Sequence, residues 1–366
     1  MRTTFDPVAL RDAPGVNEFL GRIGLGELAD PDVASLIGRN DNWAGVTSRG
    51  VAVFVKRVLG GAGTAKRQIR RSLAFEATVG RVGREELLTP TVLGHGEAAP
   101  LIVTELLTDA VNGTELAERG TFEEDLSHRA GRAVGLLHGA PTEGAAPALD
   151  TSAPALPNVA WCDALPLPLF LNLSFAEVSL WNIVHADREL CAALARLRRW
   201  ESAAERRPVH CDLRLDQFLL AGGLLHLIDG EEFRLADPAR DVGSFAGEWL
   251  HRALGGLAGG RTEHGRIDRG PSHEELVATG TRELARLQPR IAEFWTGYRS
   301  ARAAVDSGLA VRATAFAGWH LIDRALGAAE QSSRLSAATR AAMGVGRTAL
   351  VHPEKFVRTL GLGDGP

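Results

Sequence analysis

The sequence predicts an α+β fold in two lobes: a small antiparallel β-sheet with one helix, followed by a larger, mainly helical lobe that contains a β-hairpin. Three observations predict it. β-Branched, apolar runs fall within the first 107 residues, helical spacing dominates beyond residue 121, and Gly222-Gly223 separates two short apolar runs. The expected boundary lies at 107/108. The first lobe (1–107) then opens with a short helical segment, and the second spans 108–366.

In chain order, residues Leu36 to Val46 predict two strands around the polar turn Arg39-Asn40-Asp41-Asn42, and Val51 to Lys56 form a third strand after the Ser48-Arg49-Gly50 turn. Ala65 to Val82 read as a helix, and Pro100 to Leu107 as a further strand. The stretch Asp109 to Gly113 reads as a linker. Thr121 and Glu124 have capping-box spacing ahead of Leu126, Ala130, Ala133 and Leu137, so a long helix begins the second lobe, with His138 a packing residue at its end. Gly222-Gly223 tolerates the positive φ of a two-residue turn, which makes Phe218 to Ile228 a hairpin. Asp237-Pro238 starts the next helix, because proline at the first helical position needs no amide partner. Helices follow within about 272–286, 290–307, 309–331 and 336–350, with Phe294, Trp295, Phe316, Trp319 and Ile322 as buried faces. Pro141 to Pro157 and Gly255 to Pro271 read as mobile loops.

The composition narrows the function classes. A net charge of -4, with arginines balanced by acids, gives no general attraction to nucleic acid. No signal-peptide pattern stands at Met1 and no apolar run is long enough to span a bilayer, so a cytoplasmic protein without membrane partners is expected. Cys162, Cys191 and Cys211 are odd in number and lack metal-ligand spacing, as in reduced thiols.

The chemistry concentrates in His210-Cys211-Asp212-Leu213-Arg214-Leu215-Asp216-Gln217, followed by the hairpin and Ile228-Asp229. Folding the hairpin brings Gln217 and Asp229 together, with Asp212 on the loop just before it. A base, an amide and a second carboxylate at one end of a hairpin suit a divalent metal and a phosphate. Phosphoryl transfer needs a carboxylate near the attacking hydroxyl and oxygen ligands that hold Mg²⁺ against nucleotide phosphates. Asp212 meets the first need; Gln217 and Asp229 meet the second. Only Lys56, Lys66 and Lys355 are lysines in an arginine-rich chain, so Lys56 at the end of a buried strand suggests that a compact ammonium is required there. Glu231 and Glu232 are ambiguous between the site and the surface, and Asp241 reads as structural, a candidate for bonding the amides of the 210–217 loop.

These residues resemble the aminoglycoside phosphotransferase and choline kinase superfamily, whose catalytic loop reads His-Gly-Asp, four residues, Asn, with a metal-binding Asp about seventeen residues on. The order and spacing match, but Cys211 stands for Gly and Gln217 for Asn; a Gln carbonyl is an equally hard oxygen ligand. The resemblance implies a protein-kinase-like fold, ATP and Mg²⁺ as cofactors, Lys56 on the nucleotide phosphates, and Glu76 as the helix residue that orients Lys56. It further implies a phosphate-covering turn with Asn40 or Asn42 in contact, and an adenine edge received by the backbone from Glu105 to Leu107. Glu248, Glu274 and Glu275 are available to a cationic acceptor but make no dense acidic cluster.

A narrower likeness rests on Val209 to Leu220, Ile228 to Arg234 and Gly247-Glu248-Trp249-Leu250. These stretches are similar to the stand-alone kinase subunit of class V lanthipeptide synthetases. That likeness implies phosphorylation of Ser and Thr hydroxyls in a precursor peptide, ahead of elimination by a separate lyase. Two other readings stay open: an antibiotic O-phosphotransferase of aminoglycoside type, and a catalytically silent kinase-like scaffold that binds a leader peptide or a partner enzyme.

Overall fold

The computed structural model describes residues 6–83, 85–96, 99–145, 147–255, 273–330 and 332–363. In chain order these form α1 (Gly15–Arg22), β1 (Ala34–Leu36), β2 (Asp41–Val46), β3 (Ala52–Arg57), α2 (Ala62–Val82), β4 (Val92–Gly96), β5 (Leu101–Glu105), β6 (Val111–Asn112), α3 (Gly113–Glu118) and α4 (Glu124–His138). Then follow α5 (Leu167–Phe170), α6 (Phe175–Ala186), α7 (Arg188–Ala203), β7 (Arg207–Val209), β8 (Phe218–Ala221), β9 (Leu224–Leu227) and β10 (Arg234–Ala236). The chain ends in α8 (Ala239–Gly255), α9 (His273–Ser300), α10 (Leu309–Glu330), α11 (Ala337–Val351) and α12 (Pro353–Phe356). The fold is thus the mixed α+β arrangement expected, with a small antiparallel sheet and a larger helical part.

The chain divides into two compact units. The first comprises 1–119, 140–150 and 216–234; the second comprises 120–139, 151–215 and 235–366. The position expected as the lobe boundary, 107/108, lies inside the first unit, which also takes in the β8–β9 hairpin.

In the first unit an antiparallel sheet has the order β1-β2-β3-β5-β4. Side chains alternate between its faces. Trp43, Val53, Val55, Leu101 and Val103 pack on one side with Val16, Phe19 and Leu20 of α1, and Trp43 also donates its indole N–H to the Val8 carbonyl at 2.8 Å. Lys56 pairs in register with Asn42 and Ile102, and Ile102 packs with Ala65 and Ile69 of α2. A second sheet, β6-β8-β9, carries the hairpin. Ala221 faces Leu224 across a two-residue turn in which Gly222 and Gly223 have φ of 55° and 78°, the turn the sequence predicted.

The second unit is a helical assembly in which α4 packs on α9, and α10 on both α8 and α11. Glycines set these approaches. A Cβ on Gly131 of α4 would meet the Phe294 carbonyl oxygen at 1.9 Å, and one on Gly297 of α9 would meet that of His128 at 2.0 Å. Phe245 of α8 stacks on Phe294 of α9 at 3.9 Å between centroids.

Several elements differ from expectation. α4 takes Glu123, not Thr121, as its N-cap, two residues later than the capping-box spacing placed it. The two helices expected on either side of residues 287–289 are one helix, α9, with Pro289 inside it. A proline costs a helix interior about 3 kcal/mol; burial of Leu287, Ile291, Phe294 and Trp295 along the same helix offsets that cost. The linker beginning at Asp109 contains the short β6 and runs into α3, whose N-cap Asn112 accepts the Glu115 amide. β4, α6 and α7 were not anticipated. α6 has a complete capping box from Ser174 and Glu177, and α7 is capped by Asp187. Most of the 255–271 loop, and the side chains of Glu274 and Glu275, lie outside the described residues.

Candidate active site

The first unit assembles one cluster from three pieces of chain. β3 delivers Lys56, the segment after β9 delivers Asp229 and Glu231, and the turn before β2 delivers Asn40. The Lys56 Nζ lies 2.5 Å from Asp229 Oδ1 and 2.6 Å from Glu231 Oε2. Burial alone would lower the lysine's pKa, but the two carboxylates outweigh it and hold the ammonium above its usual value. Asn40 donates from Nδ2 to Glu231 Oε2 at 3.0 Å and accepts the Leu59 amide at Oδ1 at 2.9 Å, so its carboxamide has a fixed orientation. Asn42 donates to the Asn40 carbonyl at 3.0 Å. The two asparagines expected to face phosphate therefore spend their side chains on holding the turn.

The local backbone explains why the acids arrive there. Asp229 has φ 63°, a left-handed conformation that bends the chain out of β9 into the short helical turn Gly230–Glu232. Gly230 permits that turn to approach α2: a Cβ there would lie 2.4 Å from the Phe75 Cβ. Phe75 also packs edge-on against Phe233 at 5.4 Å. Gln217 ends the turn before β8, is 4% exposed, and its carbonyl accepts the Ile228 amide at 2.9 Å. The hairpin thus sets Gln217 beside the strand end that leads into Asp229, as its register requires.

Glu76 does not meet Lys56. It is half-buried on α2, one residue beyond the Phe75 that backs Gly230, and among the described residues the ion pairs of Lys56 run to Asp229 and Glu231. In the strand expected to receive adenine, the Glu105 amide donates to the Thr91 carbonyl at 3.0 Å and the Leu106 amide to the Ala52 carbonyl at 3.1 Å. Glu105 Oε1 accepts the Thr91 amide at 3.0 Å, while Leu107 follows the last residue of β5.

The second unit holds Asp212 and what supports it. Asp212 is partly exposed, with Arg214 Nη2 3.8 Å from its Oδ2. The residues before it hang from α8. Asp241, fully buried, accepts the His210 amide at 2.8 Å and the Cys211 amide at 2.9 Å, and pairs with His138 Nε2 at 3.0 Å. His138 Nδ1 lies 3.1 Å from the Tyr298 hydroxyl. Burial would raise the Asp241 carboxyl, but the hydrogen bond and charge of His138, with His210, hold it below the usual carboxylate range. Burial pushes the Tyr298 phenol above its ordinary value. Cys211 has φ 68°, so the residue standing where the superfamily motif has Gly keeps the backbone conformation that Gly favours.

Glu248, also on α8, is 5% exposed and lies 2.7 Å from His320 Nε2; Arg324 closes on the same oxygen. Burial would raise its pKa, yet His320 and Arg324 hold it well below the carboxylate range. It is a structural acid and not a free acceptor group. The sequence understated two residues here: Glu231, whose signal was its place two beyond Asp229, and His138, a histidine ending an otherwise apolar helix face.

No protein-family model matches the chain, and no curated protein matches it. Solved structures do. An amicoumacin kinase in complex with AMP-PNP, Ca²⁺ and Ami is 12% identical, with 92% of this chain and 93% of that chain covered and a TM-score of 0.57. A choline/ethanolamine kinase family protein from Mesorhizobium loti is 14% identical over 97% of this chain and 100% of that one, with a TM-score of 0.53. A spectinomycin phosphotransferase in complex with ADP and spectinomycin is 13% identical over 95% and 98%, also at 0.53. The chain therefore shares its fold with these three proteins. Among the described residues no helix is long and apolar enough to cross a membrane.

Proposed function

We propose that this protein is an ATP- and Mg²⁺-dependent O-phosphotransferase. The observation that carries the reading is the Lys56, Asp229 and Glu231 cluster. Two carboxylates already balance a buried cation, and Gln217 adds a hard carbonyl oxygen nearby in the chain, a donor set suited to a hard divalent ion. The three neighbours are named for kinase or phosphotransferase activity, two of them in complex with AMP-PNP or ADP, which supports the same reading.

Gln217 and Asp229 would hold Mg²⁺, which supplies charge neutralisation at the nucleotide phosphates. Lys56 binds the α/β phosphates, while amides of the turn around Asn40 and Asn42 cover them. Backbone groups from Glu105 to Leu107 would receive the adenine edge. Asp212 orients the acceptor hydroxyl and takes its proton. Asp241 fixes the loop that presents Asp212.

The acceptor we favour is a Ser/Thr-containing precursor peptide in lanthipeptide biosynthesis, phosphorylated before a separate lyase eliminates the phosphate. The state of Glu248 supports a peptide over a cationic sugar, because His320 and Arg324 already neutralise it. The second reading, an antibiotic O-phosphotransferase, draws on the amicoumacin and spectinomycin enzymes among the neighbours.

Calorimetric titration with AMP-PNP, with and without Mg²⁺, tests the core of the proposal. Metal-dependent binding that is lost in Asp229→Ala is the expected result. Absence of binding in the wild type would leave a scaffold as the better description. Incubation with ATP and a Ser/Thr-rich peptide or an aminoglycoside, read by mass spectrometry, then separates the two acceptors.

A further inference from the structure

We infer that Glu231, braced by Asn40, is the residue that positions Lys56 for the nucleotide, in place of a glutamate on α2. The inference rests on the phosphotransferase reading above and deepens it, by giving Glu231 of that cluster a task distinct from that of Asp229.

Lys56 has two carboxylate partners, and they are not equivalent. Asp229 is the metal candidate, more exposed at 27% of its side chain, and its oxygens would be shared between the ammonium and any cation held there. A lysine held only by Asp229 would lose its anchor when that cation arrives. Glu231 is 8% exposed at its side chain and 2.6 Å from Nζ. The Asn40 carboxamide donates to the same carboxylate oxygen, Oε2, that contacts Nζ. Since Asn40 Oδ1 is committed to the Leu59 amide, its Nδ2 must present a donor to Glu231. That donor and the ammonium meet on one oxygen of a buried side chain, so the oxygen that faces Nζ is held in place.

The arrangement also ties the turn before β2 to the strand bearing Lys56. Asn40 ends that turn, Leu59 lies three residues beyond Lys56, and both meet through one carboxamide. The turn proposed to cover the phosphates and the lysine proposed to bind them thus share one brace. Glu76 does not supply it: the ion pairs of Lys56 run to Asp229 and Glu231.

A double-mutant cycle tests the pairing in two readouts. In thermal melts without nucleotide, Lys56→Met and Glu231→Gln should each lower the melting temperature, and the double variant should fall no further than the worse single one. Glu76→Gln should add independently to Lys56→Met. In titrations of Mg²⁺ with AMP-PNP, Glu231→Gln should weaken binding at least tenfold, Glu76→Gln less than twofold, and Glu231→Asp by an intermediate amount. Asn40→Asp, which turns the donor facing Glu231 into a like charge, should follow Glu231→Gln.

Coupling of Lys56 to Glu76 with additivity at Glu231 overturns the inference. So does nucleotide binding by Glu231→Gln at wild-type strength, which leaves the phosphotransferase reading intact. Failure of the wild-type protein to bind nucleotide removes both that reading and the positioning role, and the melts would then describe a structural ion pair only.

Discussion

Replacing Asp241 by alanine should cost more stability than alanine at Ser244 or Arg252, partly exposed positions of the same helix. The carboxylate accepts two backbone amides, from His210 and Cys211, at 2.8 and 2.9 Å, and pairs with His138 at 3.0 Å; Asp241, His138 and His210 are fully buried and Cys211 partly so. Alanine leaves those donors buried and unsatisfied, at about 1–3 kcal/mol each, and partial entry of water brings the total to roughly 3–5 kcal/mol. For a unit of this size that is a fall in melting temperature of roughly 10 °C or more. Asp241→Asn should fall by less, since one carbonyl oxygen remains to accept. The pH dependence has a definite sign. The folded-state carboxyl is held below its unfolded value, so its contribution is present above about pH 4 and fades as the pH drops through the lower folded value. The gap between wild type and Asp241→Asn should therefore be widest near neutral pH and narrow under acid conditions. Differential scanning calorimetry across pH 3–8 measures both effects. A fall of less than about 3 °C for Asp241→Ala, or a gap that does not depend on pH, would refute the reasoning.

Further predictions follow from packing and backbone geometry. Gly131→Ala drives a methyl into the Phe294 carbonyl and must separate α4 from α9, at about 3 kcal/mol or more, visible in a denaturant melt. Cys211→Gly relieves left-handed strain of about 1–2 kcal/mol while freeing the unfolded chain, so a net gain of up to about 1 kcal/mol is expected, measured by the same melt. Glu248→Ala strands His320 and Arg324; with Arg324 a third exposed, the loss should sit near 3 kcal/mol, and Glu248→Gln should recover part of it. Asp212→Asn should abolish phosphate transfer in a coupled ATPase or peptide assay and leave Mg²⁺–AMP-PNP binding nearly intact; unchanged turnover would remove Asp212 from its proposed role.

The sequence was most informative where one residue type serves one geometric need. Gly222-Gly223 sits in a turn that requires positive φ twice, and the strand ending in Lys56 could be read because β-branched residues alternate toward a buried face. It was least informative where a long-range contact overrides a local signal. Thr121 and Glu124 had the spacing of a cap, but the helix begins two residues later, and Pro289 reads locally as a break in a helix that buried side chains on either side of it carry through. The partner of Lys56 belongs with these cases. The superfamily resemblance implies Glu76, on the next helix, whereas Glu231 is 175 positions away from Lys56 and is delivered by a turn in which Asp229 takes a left-handed conformation and Gly230 lets the chain pass against Phe75. Glycine at 230 is thus a condition for the ion pair. Gly230→Ala should lower stability and nucleotide affinity together, because the methyl that clashes with Phe75 also displaces the carboxylates on either side of it.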